Sequence, residues 1–303
     1  MKENLQKYPV GGVILFSRNI WNRKQTKKLI RKLQKNAAMP LFISVDEEGG
    51  DVARIGNNKK MKTDTFPTME EIGKTQDADY VYYMASTIAS QIGELGFNVD
   101  FAPVADVWTN AENQVIGDRS FGSDPELVSD MASAEIRGFH EAGIRTAVKH
   151  FPGHGDTAED SHSGYAYSYR TAEEQRTLEW KPFQAGIGAQ TEFVMVGHIC
   201  CPNITDSDIP ASLSEELVTG ILREELGFDG IVVTDAMNMG AITEHYAAGE
   251  ASALAIEAGA DMILMPEDLS EAYTAVLQAV KEGKISEERI DASLERINRE
   301  KTK

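Results

Sequence analysis

The chain has 303 residues, of which 42% are hydrophobic and 26% charged, the usage of an ordinary soluble globular protein and not of a disordered or fibrous one. Asp and Glu outnumber Lys and Arg by 48 to 30, and the formal charge of -18 sets up a field that repels polyanions, so nucleic acid and anionic membrane are poor partners. The two cysteines, Cys200 and Cys201, are adjacent in sequence, which gives neither a disulfide framework nor a cysteine metal site.

The opening segment MKENLQKYPVGGVILFSRN has only the short apolar stretch Val10 to Phe16, which reads poorly as an export signal, and no later run reaches a membrane span. The expectation is a cytoplasmic protein. Short runs rich in Val, Ile and Phe then recur: Val13 to Phe16, Leu41 to Val45, Phe97 to Phe101, Thr146 to Val148, Phe193 to Val196, Gly230 to Thr234 and Asp261 to Leu264. Between them lie Lys24 to Gln34, Tyr80 to Leu95, Pro125 to Glu141, Ala172 to Ala189, Ser214 to Leu226 and Gly249 to Ala258, where apolar positions return at helical spacing. Ser286 to Arg299 reads as a terminal helix capped by Ser286. The basic run from Arg23 to Lys35 reads as the solvated face of the first helix.

Alternation of helices with nearly continuous apolar strands predicts an α/β fold with a parallel sheet buried on both faces. Polar residues follow the strands at many points rather than at one: Asp46, Asp106, Lys149 with His150, His198, Asp235 and Met265. A rim built from so many strand ends predicts a (β/α)8 barrel of TIM type rather than a doubly wound sheet. Only seven strands are visible, so the barrel is expected to lack its first strand and to leave an open edge suited to self-association; the oligomeric state itself is not legible. No linker or repeat divides the chain, and residues 1–303 read as one domain.

The densest chemistry is KHFPGHGDTAEDSHSG, Lys149 to Gly164, which holds three of the six histidines. Its glycines and Pro152 suit a loop that folds back over a ligand. Asp160 and His162 are two residues apart, so the carboxylate can hold one ring nitrogen and leave the other facing a cavity as a tunable acid/base. His154 reads as a loop stabiliser. In VVTDAMNMGAI, Asp235 ends a buried strand, where barrels aim side chains at the axial pocket.

These segments, with GGVILFSRN (Gly11 to Asn19), DEEGG and Arg54, FAPVADV, IGDRSFGSDP, MVGHI and TDAMNMGAI, resemble the bacterial β-N-acetylglucosaminidases of glycoside hydrolase family 3 over most of residues 10 to 266. KHFPGHG with DSH is the specific part of the match. The resemblance implies a retaining exo-acting enzyme in which Asp235 is the nucleophile and His162, paired with Asp160, the acid/base. It implies removal of terminal N-acetylglucosamine from peptidoglycan-derived fragments or related glycans. It places sugar contacts at Asp46, Arg119, Lys149 and His150, with His198, Asp106 and Met265 as further pocket residues, and it calls for no organic cofactor and no metal. Met237 either packs against the sugar or fills the barrel top, and the competing reading for Asp46 or Arg119, each taken alone, is a structural ion pair at the rim. A β-glucosidase or glycoside phosphorylase of the same family, a zinc hydrolase using the loop histidines, and a non-catalytic sugar- or protein-binding relative are the alternatives.

The chain departs from the family's DQEGGR run, with Glu47 in place of an amide and Asp51 in place of a cation. Beyond DSH the family's Leu-Pro element is replaced by SGYAYSYR, Ser163 to Arg170.

Overall fold

In the computed structural model, which describes residues 2–158, 161 and 164–302, the seven apolar runs form one curled parallel sheet. Its strands are β1 (Gly12–Ile14), β2 (Phe42–Val45), β3 (Val99–Asp100), β4 (Arg145–Phe151), β5 (Phe193–Val196), β6 (Ile231–Ala236) and β7 (Met262–Leu264), and they neighbour one another in chain order. This is an α/β barrel left incomplete, as the sequence leads one to expect.

The pleat explains why the strands read as continuous apolar runs. One set of side chains, Phe42, Val99, Phe101, Ala147, Phe193, Met195, Ile231 and Val233, fills the interior, where the Phe42 and Phe193 rings meet edge to face with centroids 5.1 Å apart. The alternate set, including Ile43, Val45, Val148, Val194 and Val232, packs outward against the helices.

The helices that matter here are α1 (Arg23–Asn36), α2 (Ala78–Gly93), α3 (Pro125–Glu141), α4 (Ala172–Thr177), α5 (Trp180–Gly188), α6 (Glu216–Glu225), α7 (Ala248–Ala258), α8 (Leu269–Lys281) and α9 (Glu287–Thr302). α3 begins where the sequence says it should, because Asp124 caps it and Pro125 occupies its first turn. The single helix expected over Ala172 to Ala189 is instead two. Pro182 has no N–H for Leu178 and its ring would clash there, so the chain breaks at Leu178 and restarts with proline in the new first turn. α6 has the wide π-type winding. α8 lies beyond the periodic segments read in the sequence, although Leu269, Ala272, Tyr273, Val276, Leu277 and Val280 return at helical spacing there; Ala272 and Ala279 are its buried positions. Ser286 does cap α9, its Oγ accepting from the Arg289 N–H at 3.1 Å.

No ladder joins β1 to β7 among the described residues. Between them lies a largely apolar cavity of about 780 Å³, lined among others by Val13, Phe42, Met262, Leu264 and Leu294. The seam is held instead by α9. Ile297 enters the barrel interior, and Lys301 donates to the Gly11 carbonyl at 2.9 Å while lying over the Phe42 ring. The helix is anchored through buried Asp261, which accepts from Ser293 Oγ at 2.7 Å and the Val232 N–H at 2.9 Å and pairs with Arg223, Arg289 and Arg296. No helix among the described residues is long and apolar enough to cross a membrane.

Candidate active site

The C-terminal ends of β2, β4, β5 and β6 converge on one rim, as parallel barrel strands require. After β2, the chain turns through a short hairpin, Glu47–Gly49 with Val52–Ala53. Glu47 faces inward and secures that turn: its N–H donates to Asp100 Oδ1 at 2.9 Å, and its carboxyl oxygens accept from the Ile55 and Gly56 N–H groups, each at 2.6 Å. Burial pushes the Glu47 carboxyl up to about 7 and raises Asp100 well above the carboxylate range. The acid at position 47 is therefore a structural ligand of the hairpin. Asp51 is exposed, close enough to Asp118 to help raise its pKa after burial.

The next residue, Glu48, is buried and organises the cations of the rim. Arg119 grips it with two parallel bonds of 2.8 Å, from Nε to Oε2 and from Nη2 to Oε1, and donates its remaining arm to the Val115 carbonyl at 2.9 Å. Lys149 Nζ sits 2.5 Å from Glu48 and 2.9 Å from Asp46, and Arg54 approaches Asp46 at 3.7 Å. Burial would raise the Glu48 carboxyl, but Arg119 and Lys149 outweigh it and hold the group far below its ordinary value. Burial would likewise discharge Lys149, yet Asp46 and Glu48 keep it charged. The result is a fixed ammonium and guanidinium beside a half-buried Asp46.

β4 carries Lys149 and His150 at its end, joined by a cis peptide bond. His150 Nδ1 lies 2.7 Å from Asp106 Oδ2, and the His150 backbone N–H donates to both oxygens at 3.2 Å. The His154 N–H adds a bond of 2.7 Å to the same carboxylate. Burial works against an ionised Asp106, but His150 and these donors overcome it and lower its pKa. An acceptor-only carboxylate fixes Nδ1 of His150 as the donor and leaves Nε2 as the ring's second polar atom.

His154 bonds through its ring to Thr157 at 2.7 Å and Ser161 at 3.0 Å, so it holds the loop together, as its place in the sequence suggests. Its pKa is pushed down by burial. His198, after β5, is wedged between Ser212 Oγ at 2.8 Å and the Ala236 carbonyl at 3.1 Å. Since a carbonyl only accepts, Nε2 donates to Ala236.

Asp235 lies at the end of β6, half-buried, its Oδ1 accepting the Ala236 N–H at 2.7 Å. Loss of solvent would raise its pKa, yet His150, His198, the Ala236 N–H and Lys149 together lower it, so the carboxylate is ionised and electrostatically coupled to the rim. Such a group, anionic and still reachable, can attack an electrophilic carbon.

Of the residues singled out in the sequence, Asp46, Arg119, Lys149, His150, His198 and Asp235 are brought to this rim. Asp106 is wholly buried behind His150 and positions that ring. Met237 is buried in the apolar cluster between the strands and the outer helices, neither against a sugar site nor in the barrel interior, and Met265, in left-handed backbone, lines the seam cavity. Asp160 and His162 lie outside the described residues. Glu48, within the DEEGG motif, is the site residue that sequence reasoning misses; the run of three acids at a strand end, Asp46 to Glu48, is its signal. Among the described residues, no group of three or more His, Cys, Asp and Glu is placed to hold a metal ion.

Residues 1–299 match the profile of the Glycosyl hydrolase family 3 N terminal domain. The chain is 36% identical over 331 residues to Beta-hexosaminidase A of Pseudoalteromonas piscicida, an alignment that takes in 100% of this chain and 55% of that protein. A family 3 β-N-acetylglucosaminidase from Paenibacillus sp. str. FPU-7 superposes with a TM-score of 0.95 at 41% identity, over 99% of this chain and 58% of that one. The beta-glucoside phosphorylase BglX superposes with a TM-score of 0.87 at 30% identity, over 96% of this chain and 53% of that one. This chain thus spans little more than half the length of these three relatives. By profile, sequence identity and the geometry of its seven strands, the chain belongs to glycosyl hydrolase family 3.

Proposed function

We propose that this chain carries the active site of a retaining, exo-acting β-N-acetylglucosaminidase that removes terminal N-acetylglucosamine from peptidoglycan-derived fragments or related glycans. The observation that carries the reading is Asp235: a half-buried strand-end carboxylate, kept ionised by His150, His198 and Lys149. The hexosaminidase and β-N-acetylglucosaminidase names of its relatives support the substrate class.

In this reading Asp235 attacks the anomeric carbon. A carbon–oxygen bond forms to the carboxylate as the bond to the leaving sugar breaks, and that sugar's oxygen takes a proton from His162. Water then gives a proton to the same imidazole and displaces Asp235, so two inversions restore the β configuration. Asp160 orients the imidazole. Asp46 accepts from sugar hydroxyls while Lys149 and Arg119 donate to them, and the Asp46–Lys149–Glu48–Arg119 lattice keeps these heads from moving as the sugar's charge changes.

The phosphorylase name of one relative favours a second reading, in which phosphate replaces water in the second step. One experiment addresses both: hydrolysis of aryl β-N-acetylglucosaminide and aryl β-glucoside by wild type and Asp235→Ala, with and without phosphate. Wild type is expected to prefer the N-acetylglucosaminide, and Asp235→Ala to lose at least about a hundredfold, as removal of a covalent catalyst should. Equal activity in the two proteins would reject Asp235 as nucleophile, and phosphate-dependent release of a sugar phosphate would move the chain to the second reading.

A further inference from the structure

The chain between β4 and α4 goes out along one arm and comes back along another. The outgoing arm lies against the segment that follows β3. There the Asn110 N–H donates to the Gly155 carbonyl at 3.1 Å, Asn110 Nδ2 to the Asp156 and Thr157 carbonyls at 3.3 and 3.2 Å, and Asn113 Nδ2 to the His154 carbonyl at 2.6 Å. The approach is so close that a Cβ on Gly155 would sit 2.0 Å from the Val107 carbonyl oxygen, and only glycine fits. The returning arm is held elsewhere, by the parallel pairing of Ala166–Tyr167 with Ile199–Cys200.

One carboxylate joins the two arms. Asp156 Oδ2 accepts from Ser168 Oγ at 2.9 Å and from Arg170 Nε at 3.1 Å. Arg170 is itself held from two further sides: Nη2 donates to Thr109 Oγ1 at 2.9 Å, and Nε lies 3.0 Å from buried Glu179, the residue before α5. Asp156 therefore ties the outgoing arm to a guanidinium that other elements keep in place. The bond from Ser168 spans 12 positions, and Asp160 and His162 fall between its ends in sequence. Joining the ends of so short a segment removes freedom that its residues would otherwise have.

We propose that Asp156, backed by Arg170, is a positioning residue for the acid/base: it sets where the segment bearing His162 starts and ends, and so how well the imidazole meets the glycosidic oxygen. The inference rests on the proposed reaction, in which His162 gives and takes the proton, and adds to it a residue that acts only through His162. Its signature follows from which steps need a proton. Phenolate is a poor leaving group and requires protonation, whereas dinitrophenolate departs as the anion. In the second step water must lose a proton to the imidazole, whereas azide attacks as an anion and has none to lose. A misplaced acid/base therefore slows cleavage of a phenyl glycoside and spares a dinitrophenyl one, and azide speeds breakdown of the glycosyl-enzyme. A general loss of structure would lower both glycosides together.

The test compares the full chain with its Asp156→Ala, Asp156→Asn, Ser168→Ala and His162→Ala variants on phenyl and dinitrophenyl β-N-acetylglucosaminides, with and without azide. For Asp156→Ala, kcat/KM on the phenyl glycoside is expected to fall at least about tenfold, within the roughly hundredfold or more that general acid catalysis supplies, and on the dinitrophenyl glycoside by less than about twofold. Azide should raise kcat of this variant on the dinitrophenyl glycoside and leave wild type as it was. Asp156→Asn keeps an oxygen for Ser168 and Arg170 and should recover most of the phenyl glycoside activity. Ser168→Ala removes one of the two bonds; it should show the same pattern at smaller size, and it reads the tie even if Asp156→Ala does not fold. Equal losses on the two glycosides, or no loss on either, overturn the proposal. His162→Ala reads the underlying reaction: without a dependence on the leaving group there, the acid/base assignment itself fails, and with that dependence in His162→Ala but not in Asp156→Ala, the tie alone fails.

Discussion

Glu135 offers a direct measurement of what burying a charge beneath this site does to the fold. It lies on the inner face of α3, 1% exposed, and its Oε2 has no hydrogen-bond partner. Burial, reinforced by the negative charge of Glu48, pushes its carboxyl from 4.5 up to about 8, with Lys149 opposing. A folded pKa above the unfolded one means that the native state holds the proton more tightly. Stability is therefore full below pH 4.5 and is lost as pH rises toward 8. At pH 7 the gap of about 2.5 units, at 1.36 kcal/mol each, amounts to about 3 kcal/mol, and at pH 5 to less than about 1 kcal/mol. Glu135→Met keeps the side chain's length and helix propensity and removes the titration. Thermal melts at pH 5 and pH 7 should show the variant ahead of wild type by about 6 °C at pH 7, at about 2 °C per kcal/mol, and by about 2 °C or less at pH 5. A gain of the same size at both pH values would refute the linkage, since packing alone does not titrate.

Two further substitutions probe the ion networks. Glu48→Gln leaves Lys149 with Asp46 and Arg119 with a single oxygen, so the melting temperature should fall by an amount equivalent to about 2 kcal/mol and kcat/KM by at least about tenfold; an unchanged KM would show that the cation positions do not depend on Glu48. Asp261→Asn strips the carboxylate from three arginines and should lower the urea midpoint by the equivalent of about 3 kcal/mol with the slope unchanged. A midpoint equal to wild type would mean that α9 is not fastened there.

Much of the scaffold was legible because its physics is local. Phe193–Val196 and Pro125–Glu141 have the bounds that apolarity and capping imply. The open edge was also foreseeable, by counting. What the sequence hid was pairing at a distance: Arg119 and Glu48 are 71 residues apart, and nothing in either segment names the other. Asp106 shows the same limit. Its position after β3 suggested the pocket, while its four contacts with His150 and His154 place it behind the ring that faces the pocket.

The contact between Lys301 and Gly11 joins residues 290 positions apart. A ribosome delivers the first strand long before the helix that must hold it, so the nascent sheet grows with its leading edge unguarded until the last turn emerges. Closure of so long a loop is then a late event, entropically the most demanding in the fold, and the interval before it is when such a chain is most open to pairing with another copy or to capture by a chaperone.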